Sequence, residues 1–123
     1  MSSPRFQPSS YLSDPAAFGR AVVVDWRSVP EGPSTGWLDQ FGVSQRQHAL
    51  AYVIRGEAMR RYGSVKAYAD AFGLSYQRLS AVLRGDQIIR LEDIVSAERN
   101  LNAAPAILLA LSVHTQPSRS SPE

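Results

Sequence analysis

"ADAFGLSYQRLSAVLRG", residues 69–85, sets a glycine between two runs of helical period and closes on an arginine and a second glycine. Two short helices that cross steeply need a turn residue tolerant of positive φ, and Gly73 supplies it. Close approach of the pair calls for a small residue four positions before the turn, where Ala69 stands. Tyr68, Phe72, Leu74, Leu79 and Val82 fall at the offsets that plug such a crossing from both sides. Ser75 is placed to cap the later helix, which turns Leu79, Val82 and Leu83 inward and stops at Gly85.

Outward from this stretch the helical period continues in both directions. Upstream, Ser44 and Gln47 make an S-x-x-Q capping box that opens a first helix. Its inner face is Leu50, Val53, Ile54, Ala58 and Tyr62, and Gly63 stops it. Ser64 caps the second helix, with Val65, Tyr68, Ala69 and Phe72 inward. Downstream, "DQII" is a connector, Leu91, Ile94, Val95 and Leu101 trace a fourth helix, and Pro105 opens a fifth, "PAILLALSV". The fold class expected is all-α: a bundle of about five helices over residues 44–113, preceded by an irregular extension.

That extension divides into a flexible tail over residues 1–20, with a turn of helix at Pro15, and an arm or flap over 21–43. "AVVVDWRSV" is β-branched and reads as one short strand, with Val22, Val24 and Trp26 on one face. "WLDQFG" reads as a helical turn ending at Gly42. The segment serves as a dimer arm, a minor-groove arm using Arg5 or Arg20, or a flap over the bundle. The flap is favoured because Trp26 and Trp37 need a surface to bury against. Residues 114–123, polar and Ser/Pro-rich, are expected to be a disordered tail.

Charge sharpens the picture. The formal net charge is +2, yet residues 44–84 hold six arginines and Lys66 against Glu57 and Asp70, a local +5. Positive charge concentrated on the segment containing the crossing suits a surface that meets phosphates. Arg55, Arg60 and Arg61 are expected to form an ordinary solvated face. With no cysteine, disulfides and thiolate metal sites are excluded. The start lacks a basic patch followed by an apolar run, and "AAPAILLAL" is far too short to span a bilayer. A cytoplasmic location without membrane contact is therefore expected.

"SVKAYADAFGLSYQRLSAVLRGD", residues 64–86, resembles the helix-turn-helix of the lambda repressor/Cro (Xre-like) family, and the pattern with its context extends from residue 44 to about 111. The resemblance implies a five-helix bundle, dimeric on double-stranded DNA, with the third helix in the major groove. Helical geometry with Leu79 inward points Gln77, Ala81 and Arg84 outward, flanked by Ser80 and Arg78, with Tyr76 at the helix start. Gln77 suits adenine, Arg78 guanine and Ala81 a thymine methyl. Arg84, Lys66 and Ser64 suit phosphates, as do the backbone N–H groups beginning at Ser64 and Ser75. Val65 stands where many family members keep a phosphate-touching glutamine, which passes that contact to Ser64 or Lys66. Tyr76 is bulkier than the polar residue common at its place.

No converging catalytic constellation accompanies this surface. His48 and His114 lie far apart, and no phosphate loop, nucleophile elbow or H-E-x-x-H occurs. The expectation is a DNA-binding regulator rather than an enzyme: a repressor on a two-fold operator, homodimeric through its apolar fifth helix, with no cofactor and no metal. The alternative is an antitoxin or adaptor whose main partner is another protein, held by the N-terminal extension. A third reading is a helical interaction module that keeps the fold without binding DNA.

Overall fold

The computed structural model describes residues 6–112. Among them are five helices: α1 (Thr35–Tyr62), α2 (Val65–Ala71), α3 (Tyr76–Leu83), α4 (Leu91–Leu101) and α5 (Ala104–Ser112). The extension before them carries two 3₁₀ turns, Pro8–Tyr11 and Pro15–Ala17. The fold is all-α, with α1 as the central rod against which each of the other helices packs. No helix among the described residues is long and apolar enough to cross a membrane. Arg5, His114 and the tail 114–123 lie outside the described residues.

The first helix starts nine residues earlier than its expected cap at Ser44. The cap is Ser34, whose Oγ accepts from the Trp37 N–H at 3.0 Å. Trp37 and Phe41 sit one turn apart and stack at 5.1 Å, so the segment read as an isolated turn is continuous helix through Gly42. Ser44 and Gln47 are buried inside the helix rather than at its end. Ser44 Oγ donates to the Gln40 carbonyl at 2.9 Å. Gln47 reaches across the bundle: its Nε2 donates to the Val82 and Gln87 carbonyls at 2.9 and 2.8 Å, and its Oε1 accepts from Ile89 N–H at 2.9 Å. One amide thus satisfies the connector after α3, where backbone groups would otherwise be buried without partners.

The expected strand is absent. The only β pairing among the described residues is an isolated antiparallel bridge between Leu12 and Trp26. Val22 and Val23 stay exposed, because a single extended segment has no neighbour to complete a ladder. Nor is the stretch before residue 20 a loose tail over its described part. Leu12 and Phe18 are fully buried and belong to the same core as Leu50, Ile54, Tyr68, Leu83, Leu101 and Ile107. The extension is therefore part of the domain and covers α1 as a flap would. Trp26 meets Phe41 and His48 edge-on, at 5.8 and 5.7 Å.

His48 fastens this flap. Its Nδ1 accepts from the Gly19 N–H at 2.8 Å in a buried setting, and its ring lies edge-on to Phe18 at 5.5 Å. Burial lowers its pKa from the ordinary value of 6.5, only partly opposed by a hydrogen bond to the Ala21 backbone. The extension also packs tightly against the far end of α3. Ser9 N–H donates to the Gly85 carbonyl at 3.0 Å, and a Cβ on Gly85 would stand 2.8 Å from Ser9 and Phe18 atoms.

Candidate nucleic-acid interface

The helix pair around Gly73 forms as its capping residues dictate. Ser64 Oγ accepts from Ala67 N–H at 2.9 Å and Ser75 Oγ from Arg78 N–H at 3.2 Å, contacts worth about 1 kcal/mol apiece. Gly73 takes a left-handed φ of 67°, and Leu74 N–H closes the turn on the Ala69 carbonyl at 2.8 Å. Beneath the turn, Tyr68 and Phe72 pack against Tyr62 of α1 at 5.8 and 5.6 Å. Leu79, Val82 and Leu83 face inward as the spacing requires.

Of the nine residues expected to meet DNA, four share one accessible surface. Gln77 is exposed and makes no side-chain hydrogen bond to the described residues. Tyr76, 40% exposed, stands beside it at the start of α3. Lys66 of α2 places its Nζ 5.7 Å from the Tyr76 ring centroid and 3.4 Å from Asp70. Arg84 lies at the opposite end of α3, about 12 Å along the axis. It bonds Ser80 Oγ at 2.6 Å and Asp86 at 3.0 Å. Ser64 and Ser75 serve as caps, their Oγ atoms accepting from backbone N–H groups, while Ser80 Oγ accepts from Arg84.

Two of the nine depart from their expected places. Ala81 is only 7% exposed, so its methyl belongs to the packed side of α3 and is withdrawn from a groove. Arg78, expected to flank the outward residues and reach guanine, turns toward α4. Its two terminal nitrogens each donate to an oxygen of Asp93 on α4 at 2.7 Å, a bidentate pair. The same carboxylate accepts from Arg90 N–H at 2.8 Å. Burial pushes the Asp93 carboxyl upward, but the bonds from Arg78 and Arg90 outweigh it and hold its pKa below the ordinary 3.8. That hydrogen bond likewise raises the Arg78 pKa. Arg78 therefore positions α3 against α4 in this conformation.

The arginines of α1 split into two sets. Arg60 and Arg61 pair with Glu57 on the solvated face, as expected. Arg55 leaves that face and is half-buried, with Nε lacking a partner. Helical periodicity marks Arg55 only as lying off the core stripe and carries no signal of its half-burial. No group of three or more His, Asp or Glu side chains among the described residues is arranged to hold a metal ion. No family model, no curated protein and no solved structure matches the chain.

Proposed function

We propose that this protein is a sequence-specific DNA-binding regulator, a cytoplasmic repressor that occupies a two-fold operator as a homodimer. The observation carrying the reading is the unpartnered Gln77 at the exposed start of a capped, glycine-turned α3, with Lys66, Tyr76 and Arg84 around it. An amide at that position offers adenine a donor and an acceptor together, while the cations at either end set the register on phosphates. Base readout is assigned to Gln77 with Tyr76, and phosphate contact to Lys66, Arg84 and the N–H groups beginning α2 and α3. Titration of a labelled duplex pool with rising salt tests this. A steep linear fall of log affinity with log salt supports it, and retention that ignores salt opposes it.

The dimer reading rests on the apolar end of the molecule. Val22, Val24, Trp26, Tyr52, Val53 and Leu109 line a groove of about 590 Å³ between the flap, α1 and α5. Val23, 85% exposed, stands at its rim, and Leu108 of α5 is also exposed. A ridge and a groove on one patch can pair with their own copy across a two-fold axis. The same patch favours the adaptor as a second reading, with a different protein in place of the second copy. Light scattering separates the two: a dimer broken by Leu109→Asp supports the first, and a monomer at high concentration supports the second.

A further inference from the structure

Gly19 is wedged between α1 and the end of α3, where an added Cβ would stand 2.7 Å from the Leu83 carbonyl and 2.8 Å from Ala51 Cβ. Three arginines neighbour that contact along the chain. Arg20 follows Gly19, Arg84 follows Leu83, and Arg55 lies one helical turn beyond Ala51. Arg20 and Arg84 line a common cavity of about 280 Å³, together with Ser9, Phe18 and Asp86. Neither Arg20 nor Arg55 has a carboxylate partner among the described residues, and the Arg55 Nε is buried without an acceptor. Asp86 is the one acid lining the cavity among the described residues and is already held by Arg84 at 3.0 Å.

Such an arrangement is unfavourable by itself. A guanidinium donor removed from water without an acceptor costs free energy, and like charges beside it add to the cost. Burial lowers the Arg55 pKa and the Arg20 charge lowers it further, while Tyr76 opposes the shift and the Arg84 charge adds a smaller lowering. An anion relieves both penalties at once. Guanidinium groups match the oxygens of phosphate better than any other side chain does.

We infer that Arg20, Arg55 and Arg84 form a phosphate-holding cluster, with one guanidinium each from the flap, α1 and the end of α3. As a contact to a DNA backbone phosphate it rests on the function proposed above; as an anion site it stands independently of that reading. The flap then completes a binding surface, and His48, by fixing Gly19, sets the position of Arg20.

Arg55→Gln and the exposed Arg20→Gln test the cluster on two ligands, duplex DNA and inorganic pyrophosphate. With DNA, each variant is expected to weaken all sequences by a common factor and to lower the log–log salt slope by about one. Without any anion, Arg55→Gln is expected to unfold at a higher temperature than the wild type, because the like-charge repulsion is gone; a merely structural arginine would give the reverse. With pyrophosphate, the wild type is expected to gain thermal stability and Arg55→Gln to gain none. If the wild type ignores duplexes yet responds to pyrophosphate through Arg55, the DNA reading falls and the cluster stands as a site for free phosphate. Unchanged salt slopes in both variants together with no pyrophosphate response through Arg55 would overturn it.

Discussion

Arg78 of α3 and Asp93 of α4 are joined by two parallel hydrogen bonds of 2.7 Å, although fifteen residues separate them in the chain. The pair is largely screened from solvent, with side-chain exposures of 30% and 17%. It braces α3 against α4, while the inward packing of Leu79, Val82 and Leu83 leaves Gln77 exposed. A residue suited by type to reading guanine therefore stands one step behind the proposed reading surface.

Removing this link has a definite expected result. Arg78→Ala lowers stability by about 2 kcal/mol, between the values for exposed and buried pairs, because Asp93 keeps its charge but loses its main donor. Urea unfolding measures the loss. Base preference on bound duplexes is expected to stay the same while affinity falls; a relaxed preference at one guanine would mean that Arg78 leaves Asp93 for DNA. Asp93 titrates lower in the fold than unfolded, so its contribution is present above pH 3.8 and disappears as pH falls further through the folded pKa.

Gln47 carries a comparable load inside the bundle. Gln47→Leu keeps the volume but strips the Gln87 carbonyl and Ile89 N–H of their partner. A loss of about 2–3 kcal/mol is expected by chemical denaturation. Amide exchange should accelerate first at Ile89, since the connector rather than α1 depends on that side chain.

The latch at His48 gives the fold an acid limit. Its folded pKa lies below the unfolded 6.5, so the unfolded chain binds the proton more readily. Stability is complete above pH 6.5 and declines as pH falls below it, until the folded pKa is passed. A protonated Nδ1 cannot accept from Gly19 N–H, so the flap should loosen first. Fluorescence of Trp26, which touches the His48 ring, should shift before helix content falls. Coincident transitions would contradict an independent latch.

Two glycines of similar backbone conformation separate turn strain from contact strain. Gly73 at φ 67° has nothing within 4 Å of an added Cβ, so Gly73→Ala costs only the left-handed penalty, about 1–2 kcal/mol. Gly85 at φ 79° would drive its Cβ into Ser9 and Phe18. Gly85→Ala is expected to cost more than about 3 kcal/mol, as overpacking adds to the same penalty. Equal thermal shifts for the two variants would mean that the flap does not seat there.

The contrast also shows what local pattern can and cannot reveal. Ser64, Gly73, Ser75 and Gly85 announce α2 and α3 because caps and left-handed turns are chosen by the residues that form them. Leu79, Val82 and Leu83 declare their inward side by spacing alone. Ser44 and Gln47 mislead because they are polar residues on a buried face, satisfied within the helix and by groups up to 42 positions away. An S-x-x-Q pattern looks the same at a helix start as in the middle of one. Phe18 and Leu12 reach the core through a path with no periodicity, and the partner of Arg78 lies on another helix. What remained hidden in the sequence was the set of long-range contacts, including the burial of Ala81 and the half-burial of Arg55.

Selection from random duplexes by the wild type and by Gln77→Ala, each at low and high salt, tests the reading surface most directly. The wild type is expected to enrich a two-fold sequence with half-sites about one helical turn apart, and to lose it steeply as salt rises. Gln77→Ala should recover the same spacing with relaxed preference at one or two positions, a loss of about 1–3 kcal/mol there. A wild type that enriches nothing at low salt, or a variant that reads every position as the wild type does, would contradict the assignment of α3 to base recognition.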